Sequence, residues 1–233
     1  MAAVTAAGGT ISLLVGAVLL RLTFTETYRR YVRPEMGPFL TLAGVAVIAL
    51  GVVTLVRALR QARPAGAHDH DHDHEGVGVG WLLLAPIAAL LLVAPPTLGS
   101  YGVGRAATVD VRAGAPVFHP LARSARPVPM SLLEYGQRAF DHNGASFRRT
   151  PVQLTGFVAG AEAGGFRLAR YQISCCAADA IPAVVQVVGT AGAALARDQW
   201  VTVTGTYRRG GEQIPRLAAT TVTEIRAPED PYE

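Results

Sequence analysis

The chain has 233 residues, half of them hydrophobic, and a formal net charge of +4. Only 16 % are charged, against about a quarter in ordinary soluble domains, which argues against a wholly soluble globular protein. Two cysteines exclude a disulfide framework. Arginines and acids nearly balance over 150–233, so no basic face for nucleic acid is forced there.

Three uncharged apolar runs come first. Residues 2–20, "AAVTAAGGTISLLVGAVLL", just reach the roughly 20 residues needed to cross hydrocarbon. The run has no basic residue before it, and Arg21 and Leu22 stand where a small-residue cleavage site would follow, so it reads as a retained span rather than a signal peptide. Residues 36–56, "MGPFLTLAGVAVIALGVVTLV", form the second expected span. The third centres on 81–99, "WLLLAPIAALLLVAPPTLG", bracketed by Trp81 and Tyr101 as aromatic belt residues are, with Pro86, Pro95 and Pro96 as kinks or stops. Arg21, Arg29, Arg30 and Arg33 lie in the first loop, Arg57, Arg60 and Arg63 in the second, and Arg105 and Arg112 after the third span. The positive-inside rule then places the first loop and the C-terminal domain in the cytoplasm of a multi-pass cell-membrane protein.

Between the second and third spans, "HDHDHDHE" alternates His68, Asp69, His70, Asp71, His72, Asp73, His74 and Glu75. Imidazoles interleaved with carboxylates suit Zn²⁺ or another transition metal ion, held loosely in several arrangements rather than in a closed tetrahedral site. The run reads as metal capture, sensing or buffering, or as a solvated polar spacer. Together these segments make 1–104 the expected membrane region.

Residues 105–130, rich in Pro, Ala and Arg, read as an extended linker whose Arg105, Arg112, Arg123 and Arg126 can meet anionic lipid heads. "SLLEYGQRAFDHN" (131–143) predicts a helix, with Ser131 and Glu134 at capping-box spacing. From 151 the period changes to that of strands. "VQLTGFV" (152–158), "GFRLARYQIS" (165–174), "AVVQVV" (183–188), "WVTVTGTYR" (200–208) and "ATTVTEI" (219–225) predict a small all-β, OB-like five-stranded barrel within a soluble domain at 131–233. Gly156 and Gly205 are placed where bulges or barrel bends are expected.

"RYQISCCAADA" (170–180) holds the cysteines, Cys175 and Cys176, with Asp179 three residues on. Neighbouring strand residues point to opposite faces, so two sulfurs reach one ion only if the strand ends or bulges there. The change to "AADA" makes an end plausible. Two thiolates and the Asp179 carboxylate then offer three ligands for a soft or borderline ion, with His119 or His142 as unplaced fourth candidates. A strained, reducible disulfide between neighbours and a pair of small buried hydrophobes are the other readings. In the last, Asp179 caps the segment after it or receives Arg170.

"YVRPEMGPFLTLAGV", the histidine loop, "GWLLLAPIAALLLVAPPTLGSYG", "LTGFV", "CCAADA", "WVTVTGTY" and a final "DPYE" together resemble the YcgQ-like bacterial family described as the accessory subunit of a two-component membrane permease, whose C-terminal CCAADA domain has no assigned function. The resemblance implies an integral membrane accessory subunit with a separate multi-span permease as partner. With the histidine loop and the cysteine pair, the expected function is the handling of a metal or metalloid ion. The alternative is a membrane-anchored protein-binding or assembly module without metal chemistry. No nucleophile–base constellation, phosphate-binding glycine loop or zincin motif is present in the sequence, so no enzymatic activity is expected.

Overall fold

A computed structural model describes residues 2–61, 97–105, 118–189, 195–210 and 213–233. The chain divides into two compact units, one of Met1–Arg29 and Pro34–Pro96, the other of Arg30–Arg33 and Thr97–Glu233.

In the first unit, the first two apolar runs form α1 (Ala2–Phe24) and α2 (Gly37–Gln61). Each overruns the expected span by about a turn. Arg21 and Arg60 stand in the last turns, where a cation complements the helix dipole. The two helices meet along glycines. A Cβ on Gly9 would lie 3.1 Å from the Gly51 carbonyl oxygen, and one on Gly16 2.9 Å from that of Gly44. Seven residues separate the glycines on each helix, so the paired backbones run antiparallel and approach as small-residue seams allow. Away from the seam, Leu14, Phe39, Leu42, Leu50 and Val53 are exposed. Both helices are long and apolar enough to cross a membrane. The third expected span, 81–99, falls outside the described residues up to 96; Thr97–Gly99 are irregular, and Ser100–Val103 form one helical turn, α3.

The second unit is built on strands β1 (Val128–Pro129), β2 (Val152–Glu162), β3 (Gly165–Gln172), β4 (Ile181–Val188), β5 (Trp200–Arg208) and β6 (Arg216–Glu224), with helix α4 (Leu132–Phe140). The alternation read from sequence puts Leu154, Leu168, Val185, Val187 and Val203 wholly inside, and Leu217, ahead of the last expected strand, joins them. The strands run in the order β1-β2-β3-β4-β6-β5, and β5 returns to pair with β2. β2 to β6 therefore close a five-stranded barrel, with no open edge to template pairing. β4 and β6 pair in parallel and the other barrel pairs are antiparallel, so the chain crosses over as a Greek key requires.

α4 packs its apolar side on the barrel through Leu132, Tyr135 and Ala139. Ser131 Oγ accepts from the Glu134 N–H at 3.0 Å, the expected cap. The reciprocal half of the capping box is replaced: the Glu134 carboxylate accepts from Arg138 Nε at 2.7 Å. The buried Tyr135 hydroxyl donates to the Arg216 carbonyl at 2.6 Å, and burial keeps it protonated well beyond the ordinary phenol range.

Two expectations are corrected here. The linker predicted over 105–130 is not a free tether along its described part. Leu121 N–H donates to the Ser146 carbonyl, the Arg138 guanidinium lies 4.4 Å from the Phe118 ring centre, and β1 adds in parallel to β2. The linker shows no period because its contacts are made one residue at a time. Second, Gly205 does sit at a register shift, but Gly156 does not. Gly156 is glycine because a Cβ there would lie 2.6 Å from the Ala169 carbonyl oxygen, and the β2–β3 irregularity falls at Val158–Gly160 instead.

Candidate thiol site

β3 stops at Gln172, two residues short of the expected end at Ser174, and the chain then turns through Ser174 and Cys175 into a short 3-10 segment at Ala177–Asp179. The turn is made by Asp179. Its carboxylate accepts from the Ser174 N–H at 2.9 Å and from the Cys175 N–H at 2.8 Å. Its own N–H donates to the Cys176 carbonyl at 3.1 Å. Asp179 thus caps the segment before it, not the one after. Arg170 is not its partner. That guanidinium donates to the carbonyls of Asp230 and Tyr232 at 2.7 and 3.1 Å and lies 3.8 Å from Glu233.

Because the strand has ended, side-chain alternation no longer separates the two thiols. The sulfurs of Cys175 and Cys176 and a carboxylate oxygen of Asp179 all lie within 4.8 Å of one another. Both cysteines are free thiols, Cys175 exposed and Cys176 half-buried. Hydrogen bonding to the Asp179 carboxylate, and then to Cys176, pushes the Cys175 thiol up to about 11. The same bond from Cys175, with the backbone N–H groups of Ser174 and Cys175, holds Asp179 below the usual carboxylate range. At neutral pH Cys175 is therefore protonated beside an ionised carboxylate. Losing the Cys175 proton frees the Asp179 lone pair that accepts it.

Asp179→Asn replaces the charged acceptor that keeps Cys175 protonated with a neutral amide. Alkylation of the thiol by iodoacetamide at pH 8 should then speed up roughly tenfold, one unit of pKa being one decade of thiolate. An unchanged pH–rate profile would show that Asp179 does not govern the thiol.

The other edge of the thiol segment is covered by residues distant in sequence. Arg33 N–H donates to the Cys175 carbonyl at 3.2 Å, and Ala177 N–H to the Tyr31 carbonyl at 2.6 Å. Val32 faces Cys176 in an antiparallel bridge. The Tyr232 hydroxyl donates to the Arg30 carbonyl at 2.6 Å. Sequence reasoning missed this strand. Its one local signal is Pro34, which holds the residue before it in extended backbone.

The remaining candidates fall elsewhere. His119 is exposed, and exposed His142 bonds Asp141 at 2.6 Å; neither joins the thiols. His68, Asp69, His70, Asp71, His72, Asp73, His74 and Glu75 lie outside the described residues. A cleft of about 440 Å³ beside β2 and α4 is lined by Ser131, Gln153, Thr155, Arg170 and Glu233. Its charged groups are engaged within the barrel unit: Glu233 accepts from Leu132 N–H and Gln172 Nε2, and burial raises its carboxyl above the usual range.

Two family models match the chain. The DUF1980 N-terminal domain matches residues 9–106 and the DUF1980 C-terminal domain residues 136–233. No curated protein matches it. The first match takes in most of α1 and all of α2, and the second takes in the five barrel strands with both cysteines. With the motifs at the start of α2, at the thiol turn and at 230–233, the chain belongs to the YcgQ-like DUF1980 family.

Proposed function

We propose that this protein is a membrane-anchored accessory subunit that captures a thiophilic metal or metalloid ion through Cys175 and Cys176 of its barrel. The observation that carries this reading is the convergence of two sulfurs and a carboxylate within 4.8 Å at an accessible strand end. Soft thiolate donors select ions such as Cu⁺ and Zn²⁺ over hard oxygen-seeking cations. The exposed face leaves room for a ligand from water, cargo or partner. α1 and α2 supply the anchor, and the resemblance to permease accessory subunits supplies the partner class, a separate multi-span permease. The histidine loop is a second, looser capture site with nitrogen and oxygen donors.

Equilibrium dialysis of the detergent-solubilised full chain against Ag⁺, a thiophilic probe, tests this. Wild type should retain Ag⁺ at the thiol pair, and Cys175→Ser with Cys176→Ser should remove that component whole. Equal retention by both proteins would sink thiol capture. It would favour the other reading, an assembly module without metal chemistry.

A further inference from the structure

Arg30–Arg33 lies between α1 and α2 in sequence but belongs to the barrel unit. Its backbone is bound there, at Arg30 by the Tyr232 hydroxyl and at Tyr31 and Arg33 by the thiol segment. The Cys175 carbonyl takes the Arg33 N–H, the Tyr31 carbonyl takes the Ala177 N–H, and Val32 stands opposite Cys176. These bonds bracket the two residues that carry the thiols. On the opposite edge the Ser174 and Cys175 N–H groups are taken by Asp179. The thiol segment is thus clamped on both sides, and its conformation depends on both clamps.

We propose that the inter-helix segment Arg30–Arg33 regulates the thiol site: ion capture by Cys175 and Cys176 and the docking of this segment are one coupled equilibrium. The proposal rests on the thiol-capture reading above. Bringing two adjacent sulfurs onto one ion fixes the peptide between Cys175 and Cys176. That backbone carries the bond to Arg33 and faces Val32. A docked segment pre-organises the thiols, which lowers the ordering cost of binding. By linkage, a bound ion must hold the segment to the same degree. Residue 33 continues in sequence through Pro34–Met36 into α2.

The test uses the full chain in detergent, with Ag⁺ as probe. Amide hydrogen exchange is followed in peptides covering 30–33 and 174–179. Ag⁺ should slow exchange in both, and Cys175→Ser with Cys176→Ser should abolish both changes. Arg33→Pro removes the donor to Cys175 and should weaken thiol-dependent Ag⁺ binding roughly fivefold, the worth of one ordinary hydrogen bond. The wild-type exchange measurement decides the matter even where that variant folds poorly. Slowing at 174–179 with none at 30–33 would overturn the coupling and leave thiol capture standing. Absence of any thiol-dependent Ag⁺ binding would overturn both.

Discussion

Gly205→Val should cost the barrel about 4 kcal/mol and shift its urea midpoint far below that of wild type. Gly205 sits in β5 at the register shift against β6, and it also pairs with Val152 of β2. A Cβ there would run into the Ala218 carbonyl and lie 3.0 Å from the Ala219 Cα. Those are backbone atoms, with no rotamer to change. β6 cannot retreat, because it is also held in parallel to β4. Overpacking in a yielding core costs about 1–3 kcal/mol. Against a closed backbone ladder the cost should reach about 4 kcal/mol, a large part of the roughly 5–15 kcal/mol that holds a domain folded. Urea unfolding of the full chain, followed by near-ultraviolet circular dichroism, measures it. Gly104→Ala is the control: its φ is −86° and nothing lies near a Cβ there, so it should match wild type. A Gly205→Val protein as stable as wild type would mean that β5 and β6 do not approach as described.

The second large effect is on pH. An ion bound by thiolate must displace the thiol proton, and the Cys175 proton is held up to about pH 11 by the Asp179 carboxylate and Cys176. Below that value each rise of one pH unit should strengthen ion binding about tenfold for each proton released. Between pH 6 and 8 the gain is about a hundredfold for one proton. Asp179, held below the usual carboxylate range, is already ionised over this interval and adds no slope. Binding by the histidine loop would behave differently, since ordinary imidazoles lose their protons near pH 6.5 and their affinity then levels off. Ag⁺ affinities measured across that interval separate the two. A slope that vanishes above pH 7 would assign the ion to histidine.

The barrel was legible because period-two alternation survives in β4, in most of β5 and in parts of β2 and β3. Residues such as Leu154, Val185 and Val203 are apolar for one reason, an inward position, and that reason leaves a local trace. The end of β3 was legible to within two residues, from the change from alternation to "AADA". The rest of the thiol site was not, because its partners are long-range and carried by backbone. Nothing in "YVRP" announces a bridge to Cys176 some 140 residues away: two hydrogen bonds between peptide groups impose no side-chain pattern. Asp179 was assigned to the wrong neighbour because a carboxylate caps forward more often than it folds back on the turn before it. Arg170 was assigned to a nearby charge, whereas it binds carbonyls at 230–232, where donors matter and sequence identity does not. The same holds for the stretch before α4, whose packing onto the barrel runs through isolated contacts at Phe118 and Leu121.

X-ray absorption at the metal edge of the Ag⁺-loaded full chain tests most directly whether the two adjacent sulfurs hold the ion. The first shell should contain the two sulfurs of Cys175 and Cys176 and lose them when both are serine. A shell of nitrogen and oxygen alone, unchanged by that substitution, would contradict it.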